Sequence, residues 1–494
     1  MPRASSHILE NEQPKLESIF LSSEKNSYTY GNLNTFKAFF CDILSQNSLY
    51  DTSLVAFLCE SCDAMVFSVA ACWELGVPFI PLDPKLTQQE IESQLEVLNP
   101  SIVFCDSRNI KRVDRLVTFQ IDETFLDMGL NFEKSNSEYT TTKNIQESEI
   151  FGYFFTSGTT ASPKIVPLKR RQMYAAAKSS AKNLRPEPNH LWLLCLPLNH
   201  IGGISIILRT LIYRTGIYRS DSFNEYAIKN LLSDHPKIQA VSLVPTMLER
   251  LLKHPDFNIH KSFKAILLGG GPSTEHGLQK CIDKGIPIIS SYGMTETCAQ
   301  VVAHPILTSP QKQTLLSSVG KPLENNHVQI TDEQGNKLTE NKSGLIWLKG
   351  PQVFDGYFNY KNNDSLFDKD GWFNTGDFGH LNSAGYLFID NRRTDLIVSG
   401  GENINPFEVE EAIKTIKEIH EIAVIGLDDE QWGQKVVAVM TLNKTKTFTL
   451  DDIKSRLKGK IADFKLPKDV IIVDELPKTT TGKIRKQALK NLYS

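Results

Sequence analysis

The chain has 494 residues, 40% of them hydrophobic and 22% charged, and a formal net charge of −3. A length beyond what one hydrophobic core supports predicts at least two domains of ordinary soluble composition. The near-neutral charge argues against nucleic acid or an anionic membrane as the main partner.

The stretch that comes nearest to a membrane-spanning run, Ile201 to Tyr213, is short and interrupted by Arg209, so no membrane span is expected. The first residues, MPRASSHILENEQ, lack the apolar segment of a signal peptide, and NLYS is not a peroxisomal address. Eight cysteines in no framework spacing fit a reducing compartment, and a cytoplasmic location is the expectation. Cys59 and Cys62 form a CxxC, but neither a second CxxC nor a nearby His completes a zinc site. They read as core cysteines.

In chain order, TYGNLNTFKAFFCDIL predicts a helix, LVAFLC a strand, AMVFSVAACWEL a helix, VPFIPLDP an extended segment and SIVFCD a strand. This alternation predicts a largely parallel sheet covered by helices. Residues 106–148 are polar, with SNSEYTTTKN an exposed excursion. Tyr153 to Phe155 reads as a buried strand that runs into Thr156, Ser157, Gly158, Thr159, Thr160 and Ala161, with Pro163 and Lys164 following. Small and hydroxyl residues let backbone N–H groups converge on an anion, and a lysine adds a point charge. The loop is not a Walker A motif, because no Gly-Lys-Ser/Thr ending enters a helix. Taken alone, it could equally be a surface loop with an incidental lysine.

Downstream, RQMYAAAKSSAKNL predicts a helix, and LWLLCLPLNHIGGISIILRTLIY a strand, a turn at Asn199–Gly203 and an apolar helix. IQAVSLVP, TMLERLLKH and AILLGGGP form a second βαβ passage, followed by the strand IPIISSYG and the turn MTETCAQ. Two consecutive strands thus end in glycine- or hydroxyl-rich turns, and ligands of open α/β sheets sit at strand carboxyl ends. From about residue 325, HVQITDEQGN, GLIWLKG and YLFIDNRR predict a smaller β-rich unit. Beyond a break at Asn391–Gly401, the order helix (PFEVEEAIKTI), two strands (EIAVIGLDD, KVVAVMTL), helix (LDDIKSRLKGKIADF), strand (DVIIVDELP) predicts an independent α+β lobe.

Several residue groups could carry chemistry. Tyr292, Thr295 and Glu296 share one turn: an aromatic face for a base, a hydroxyl for a phosphate oxygen and a hard carboxylate ligand for Mg²⁺. A plain helix N-cap would also use Thr295 and Glu296. Asp377, after Gly376, suits paired ribose hydroxyls or a simple turn. Arg392 and Arg393 lie where the lobes meet, and PKTTTGKIRK carries Lys478 and Lys483 on a flexible loop.

Together and in this order, the 156–164 loop, the 292–296 turn, Asp377, Arg392 and Lys483 resemble the motifs of the adenylate-forming superfamily. That superfamily comprises acyl- and aryl-CoA synthetases, adenylation domains and luciferases. The resemblance runs from TYGNL near residue 30 to Lys483. It departs at Ala161, where glycine is usual, and at Asn199, where an aromatic usually precedes the histidine. LPLNHIGGISIILR, AILLGGGP, SYGMTET and RRTDLIVSGGENINP look most like the o-succinylbenzoate–CoA ligase family of menaquinone biosynthesis. Another aryl- or acyl-CoA ligase is the alternative, and a non-catalytic nucleotide-binding relative is disfavoured by Lys483, Glu296, Asp377 and Arg392.

The resemblance implies an α/β fold: a large N-terminal domain (residues 1–393) of two α/β sheets plus a small β-barrel-like unit, and a mobile α+β C-terminal domain (394–494). It implies ATP, Mg²⁺, a small-molecule carboxylate and coenzyme A as ligands; homo-oligomer formation is left open. By the same resemblance, Thr156, Ser157, Gly158, Thr159, Thr160 and Lys164 cradle the β- and γ-phosphates. Glu296 holds Mg²⁺, Thr295 the α-phosphate, and Gly270, Gly271, Pro272 and Tyr292 the adenine, while Asp377 and Arg392 hold the ribose. Lys483 bridges carboxylate and α-phosphate, and His200 lines the junction of acyl pocket and thiol tunnel. Arg209 meets a second substrate carboxylate. Gly400 and Gly401 reach the pantetheine channel after rotation about Thr394, with Trp432 and Lys435 as further coenzyme A contacts.

Overall fold

The computed structural model describes residues 15–47, 53–113, 116–133, 145–156, 163–271, 273–307, 315–332, 334–392, 396–443, 448–477 and 484–494; of residues 391, 392 and 487 only the backbone is described. Of the residues singled out above, Ser157, Gly158, Thr159, Thr160, Ala161, Pro272, Arg393, Thr394, Lys478 and Lys483 lie outside this set.

The first sheet has the order Thr118–Gln120, Ile102–Cys105, Val55–Leu58, Phe79–Pro81, Ile150–Thr156, Lys164–Lys169, parallel except for the last strand. Its central strands, VAFL, FIP and IVFC, are buried at every position. Unbroken apolar runs are what a parallel sheet covered on both faces requires. Helix Asp63–Leu75 shows why: its buried residues occupy all sides, and it packs against both helix Tyr30–Gln46 and helix Ile201–Tyr213 of the next layer. Phe36, Phe57, Phe67 and Phe104 fill the space between the layers in one core.

In the second sheet, Ile288–Met294, Ala265–Leu268, Ile238–Leu243, Leu191–Leu194, Gly216–Arg219 and Ile19–Ser22 run parallel in that order. The β-rich unit expected after residue 325 is hydrogen-bonded into this sheet through Ala299–Ala303, which is antiparallel to Ile288–Met294 on one side and to Ser318–Pro322 on the other. Strands Leu387–Arg392, Phe373–Leu381, Gly344–Lys349 and His327–Thr331 continue it.

The C-terminal lobe has its own apolar core, built on Ile397, Ile404, Val424, Val436 and Met440. Its second helix ends at Leu457 rather than running through IADF, because Gly459 follows at φ +78°, a conformation that ends helices. A hairpin that local pattern did not predict, Ile397–Ser399 with Glu402–Ile404, turns on Gly400 (φ +60°) and Gly401 (φ +89°). Two consecutive positive φ values are the demand of a tight two-residue hairpin, and glycine meets it without steric cost. Among the described residues no helix is long and apolar enough to cross a membrane.

Gly293 sits at the register shift between Ile288–Met294 and Ala299–Ala303, and a Cβ there would lie 1.8 Å from the Ala299 carbonyl oxygen. Gly293→Ala therefore forces backbone apart next to Thr295 and Glu296. We expect a loss of about 1–3 kcal/mol, read as a lower Tm. A variant melting at the wild-type temperature would show that the strands separate freely.

Candidate active site

The carboxyl ends of both sheets and the glycine hairpin of the C-terminal lobe enclose one cavity of about 1080 Å³. Thr156, Lys164, His200, Arg209, Gly270, Thr295, Glu296, Asp377, Gly400 and Gly401 all line it. Sequence positions from 156 to 401 thus converge because parallel strands deliver their carboxyl ends to one side.

Thr156 and Lys164 face each other across the antiparallel pair Ile150–Thr156 and Lys164–Lys169. Strand Ile150–Thr156 is thus followed in the described chain by an antiparallel strand and not by a helix, which agrees with the failure to match a Walker A motif. The Lys164 ammonium rests 4.7 Å from the ring centroid of Tyr357 and 4.9 Å from that of Tyr360. Among the described residues it forms no ion pair, and a cation held on aromatic faces stays available to an anionic ligand.

Glu296 is 8% exposed and accepts a hydrogen bond of 2.7 Å from the Tyr357 hydroxyl. Burial pushes its carboxyl above the ordinary range, against the Tyr357 bond and the charge of Lys164. A carboxylate whose charged form burial disfavours gains from a nearby cation. No group of three or more His, Cys, Asp or Glu among the described residues could hold a metal by itself. That donor set fits Mg²⁺, which usually takes one or two carboxylates together with substrate phosphates and water.

Asp377 accepts from the Tyr292 hydroxyl at 2.8 Å, and its backbone pairs in register with Arg392. Tyr292 is 4% exposed and stands behind the cavity wall rather than in it. Gly271 also lies off the wall, where a Cβ would be 3.6 Å from Val398 of the C-terminal lobe. Trp432 and Lys435 do not line the cavity. Trp432 supports the hairpin turn, its carbonyl accepting from Gly400 N–H at 2.8 Å, and Lys435 pairs with Asp469 at 3.0 Å.

His200 precedes the first turn of helix Ile201–Tyr213, where Gly203 is required because a Cβ would meet the Pro197 carbonyl at 2.4 Å. The CxxC turn has a structural part here: Ser61 Oγ accepts from Leu198 N–H at 3.1 Å, and Cys59 and Cys62 are free thiols. His200 Nε2 lies 3.1 Å from Glu402 of the other lobe, and Lys85 reaches the second oxygen of the same carboxylate at 2.8 Å. Burial raises the Glu402 pKa, but the bonds and charges of His200 and Lys85 outweigh it and hold the value at about 2. Burial disfavours the His200 imidazolium, yet Glu402 and Asp83 hold its pKa above the ordinary 6.5. Elsewhere on the cavity wall, Lys465 is 7% exposed and bonds Glu90 of the large domain and Glu408 of its own lobe, each at 2.6 Å.

A family model described as AMP-binding enzyme matches residues 10–358, and one described as AMP-binding enzyme C-terminal domain matches residues 408–483. The chain belongs to the AMP-binding enzyme family. It is 35% identical over 437 residues to the 2-succinylbenzoate–CoA ligase of Enterococcus faecalis, covering 87% of each chain. The o-succinylbenzoate CoA synthetase of Bacillus subtilis, as a double mutant bound with its product analogue OSB-NCoA, matches with a TM-score of 0.87 at 32% identity, covering 97% of this chain and 98% of that one. The same enzyme in complex with the acyl-adenylate intermediate OSB-AMP gives 0.71 at the same identity and coverage. In complex with ATP and magnesium ion it gives 0.70 at 32% identity, with 96% of each chain covered. This chain's overall arrangement therefore resembles the product-analogue complex more than the other two.

Sequence reading missed Lys85, Glu402, Tyr357 and the Lys465 cluster. Lys85 had a usable signal, since PLDPK follows directly on a buried parallel strand. Glu402 stood inside a quoted motif but beside two more conspicuous glycines.

The His200–Glu402 contact carries a pH dependence of defined sign. A raised histidine pKa means the contribution is complete below 6.5 and disappears as pH rises through the raised value. Lys85 keeps its hold on Glu402 throughout that window, and Asp83 adds to the negative side. We expect inter-lobe resonance energy transfer to report fewer closed molecules above neutrality, with His200→Gln removing the slope. An unchanged slope in that variant would assign the titration elsewhere.

Proposed function

We propose that this chain joins o-succinylbenzoate to coenzyme A at the expense of ATP, through an acyl-adenylate, giving o-succinylbenzoyl-CoA, AMP and pyrophosphate for menaquinone biosynthesis. Two anions, a carboxylate and the α-phosphate, must meet in the first step, so the site has to neutralise charge. Lys164 and the 156–160 loop take the β- and γ-phosphates, and Glu296 takes Mg²⁺. Thr295 takes the α-phosphate, and Asp377 and Arg392 take the ribose. Gly270, Gly271, Pro272 and Tyr292 shape the adenine slot, Tyr292 by fixing Asp377. Lys483 enters while charge builds between carboxylate and phosphate. The lobe beginning at residue 394, with Thr394 as pivot, then exchanges Lys483 for the Gly400–Gly401 hairpin, and thioester formation follows beside His200. A cytoplasmic setting accords with the free cysteines.

The observation that carries the substrate is Arg209. It is 3% exposed, lines the cavity and has no carboxylate partner among the described residues. Its guanidinium stacks 5.3 Å from the Trp192 ring, and burial lowers its pKa. An unpaired buried cation is costly, and a dicarboxylic acid adenylated at one end supplies the missing anion at the other.

Thioester formation across a panel of o-succinylbenzoate, benzoates and fatty acids tests the reading directly; turnover only with the other acids would overturn it. Arg209→Leu should raise KM for o-succinylbenzoate sharply, by roughly 2–5 kcal/mol of lost binding, and leave the apparent affinity for ATP unchanged. Wild-type enzyme that uses an analogue lacking the non-reacting carboxylate equally well would reduce Arg209 to packing. Lys483→Ala should lower adenylation ~10²–10³-fold while sparing thioester formation from supplied acyl-adenylate. Equal loss in both half-reactions would contradict the role given to Lys483.

A further inference from the structure

The wall of the same cavity contains a side chain whose chemistry the family motifs do not use. Gln300 lies on strand Ala299–Ala303, is 5% exposed and lines the cavity, yet among the described residues neither its buried Nε2 nor its buried Oε1 has a hydrogen-bond partner. Gln352, its neighbour, shows what a structural amide looks like in this core. It donates from Nε2 to the Thr297 and Gln300 carbonyls, each at 2.7 Å, and accepts at Oε1 from Ser179 and Asn326, each at 2.9 Å. Every site on Gln352 is filled; none on the Gln300 amide is. Buried amides are nearly always paired, and one left unpaired destabilises the fold where leucine or methionine would fill the wall freely. The strand that carries Gln300 packs against helix Ile201–Tyr213, which carries Arg209.

We propose that Gln300 is a specificity-determining residue of the acyl pocket, its Nε2–H donating to the ketone oxygen of the bound aroyl-propionate while Arg209 takes the non-reacting carboxylate. The proposal rests on the o-succinylbenzoate reading above. A ketone is a neutral acceptor, and an amide supplies a donor without adding charge beside Arg209. A second cation there would repel the guanidinium, and a hydroxyl would be too short to replace the reach of glutamine. The substrate offers no donor to Oε1, so the assignment concerns Nε2 alone. A site that hydrogen-bonds a polar group discriminates strongly against analogues lacking it, because its own group is then stranded.

The test compares o-succinylbenzoate with its deoxo analogue, in which a methylene replaces the ketone, by KM and kcat of pyrophosphate release. Wild-type enzyme should prefer the ketone at least tenfold in KM. Gln300→Met, similar in size but without a donor, should abolish that preference, keep the preference for the carboxylate-bearing acid and leave the KM for ATP unchanged. Arg209→Leu should show the reverse pattern. If Gln300→Met retains the wild-type ketone preference while using o-succinylbenzoate, the Gln300 assignment falls and the function stands. Wild-type enzyme that binds both acids equally overturns the assignment with no variant needed. Wild-type enzyme that turns over neither acid overturns the function as well.

Discussion

Glu402 carries a negative charge from one lobe into the cavity wall of the other, and the geometry of the site as described depends on that contact. Its two oxygens are divided between His200 and Lys85. Both partners belong to turns at the carboxyl ends of parallel strands, one in each sheet, so a single carboxylate ties the two sheets to the C-terminal lobe. It also fixes the hairpin at Gly400 and Gly401 against the cavity, because Glu402 is the residue that leaves the turn.

Three charged groups in the cavity follow a common pattern. Lys164 lies over aromatic rings, Glu296 is buried and accepts from the Tyr357 hydroxyl, and Arg209 is stacked on Trp192. Each is an ionisable group held without an opposite charge in contact, which a folded protein avoids unless a ligand completes the set. The groups that do have partners, such as Asp63 with Arg219 and Lys169 with Asp355, belong to the framework.

Much of the fold was legible because parallel strands announce themselves. VAFL, IVFC and AILL are apolar at every position, and the glycine- or hydroxyl-rich turns after them mark strand ends where ligands gather. The 156–164 segment suggested anion chemistry, but the strand that follows it was not legible. Lys164–Lys169 has too little alternation to declare a strand, and only pairing with Ile150–Thr156 makes it one. The merging of the β-rich unit with the second sheet was illegible for a similar reason, since it depends on one short linking strand. Contacts between lobes were beyond local reading altogether. Lys85 and Glu402 are 317 residues apart, Glu90 and Lys465 375 apart, and each looks like an ordinary surface charge until the lobes are placed. Gln300 is likewise unremarkable in sequence; only its lack of partners distinguishes it.

The composition of the lobe contact bears on how the protein moves. The C-terminal lobe keeps its own apolar core, and the contact places Glu90, Lys465 and Glu408 together in a buried cluster beside the Glu402 group. Buried ion pairs lose most of their attraction to desolvation, so their net contribution is small compared with apolar burial of the same area. They are nevertheless strict about geometry, since a misplaced partner leaves a charge stranded. A contact of this kind selects one orientation sharply while adding little to the barrier against leaving it. An apolar seam would do the opposite, holding the lobes together over a range of orientations. On the function proposed above, in which Lys483 serves one step and the Gly400–Gly401 hairpin the next, polar latches at Glu402 and Lys465 would allow each arrangement to be both defined and abandoned.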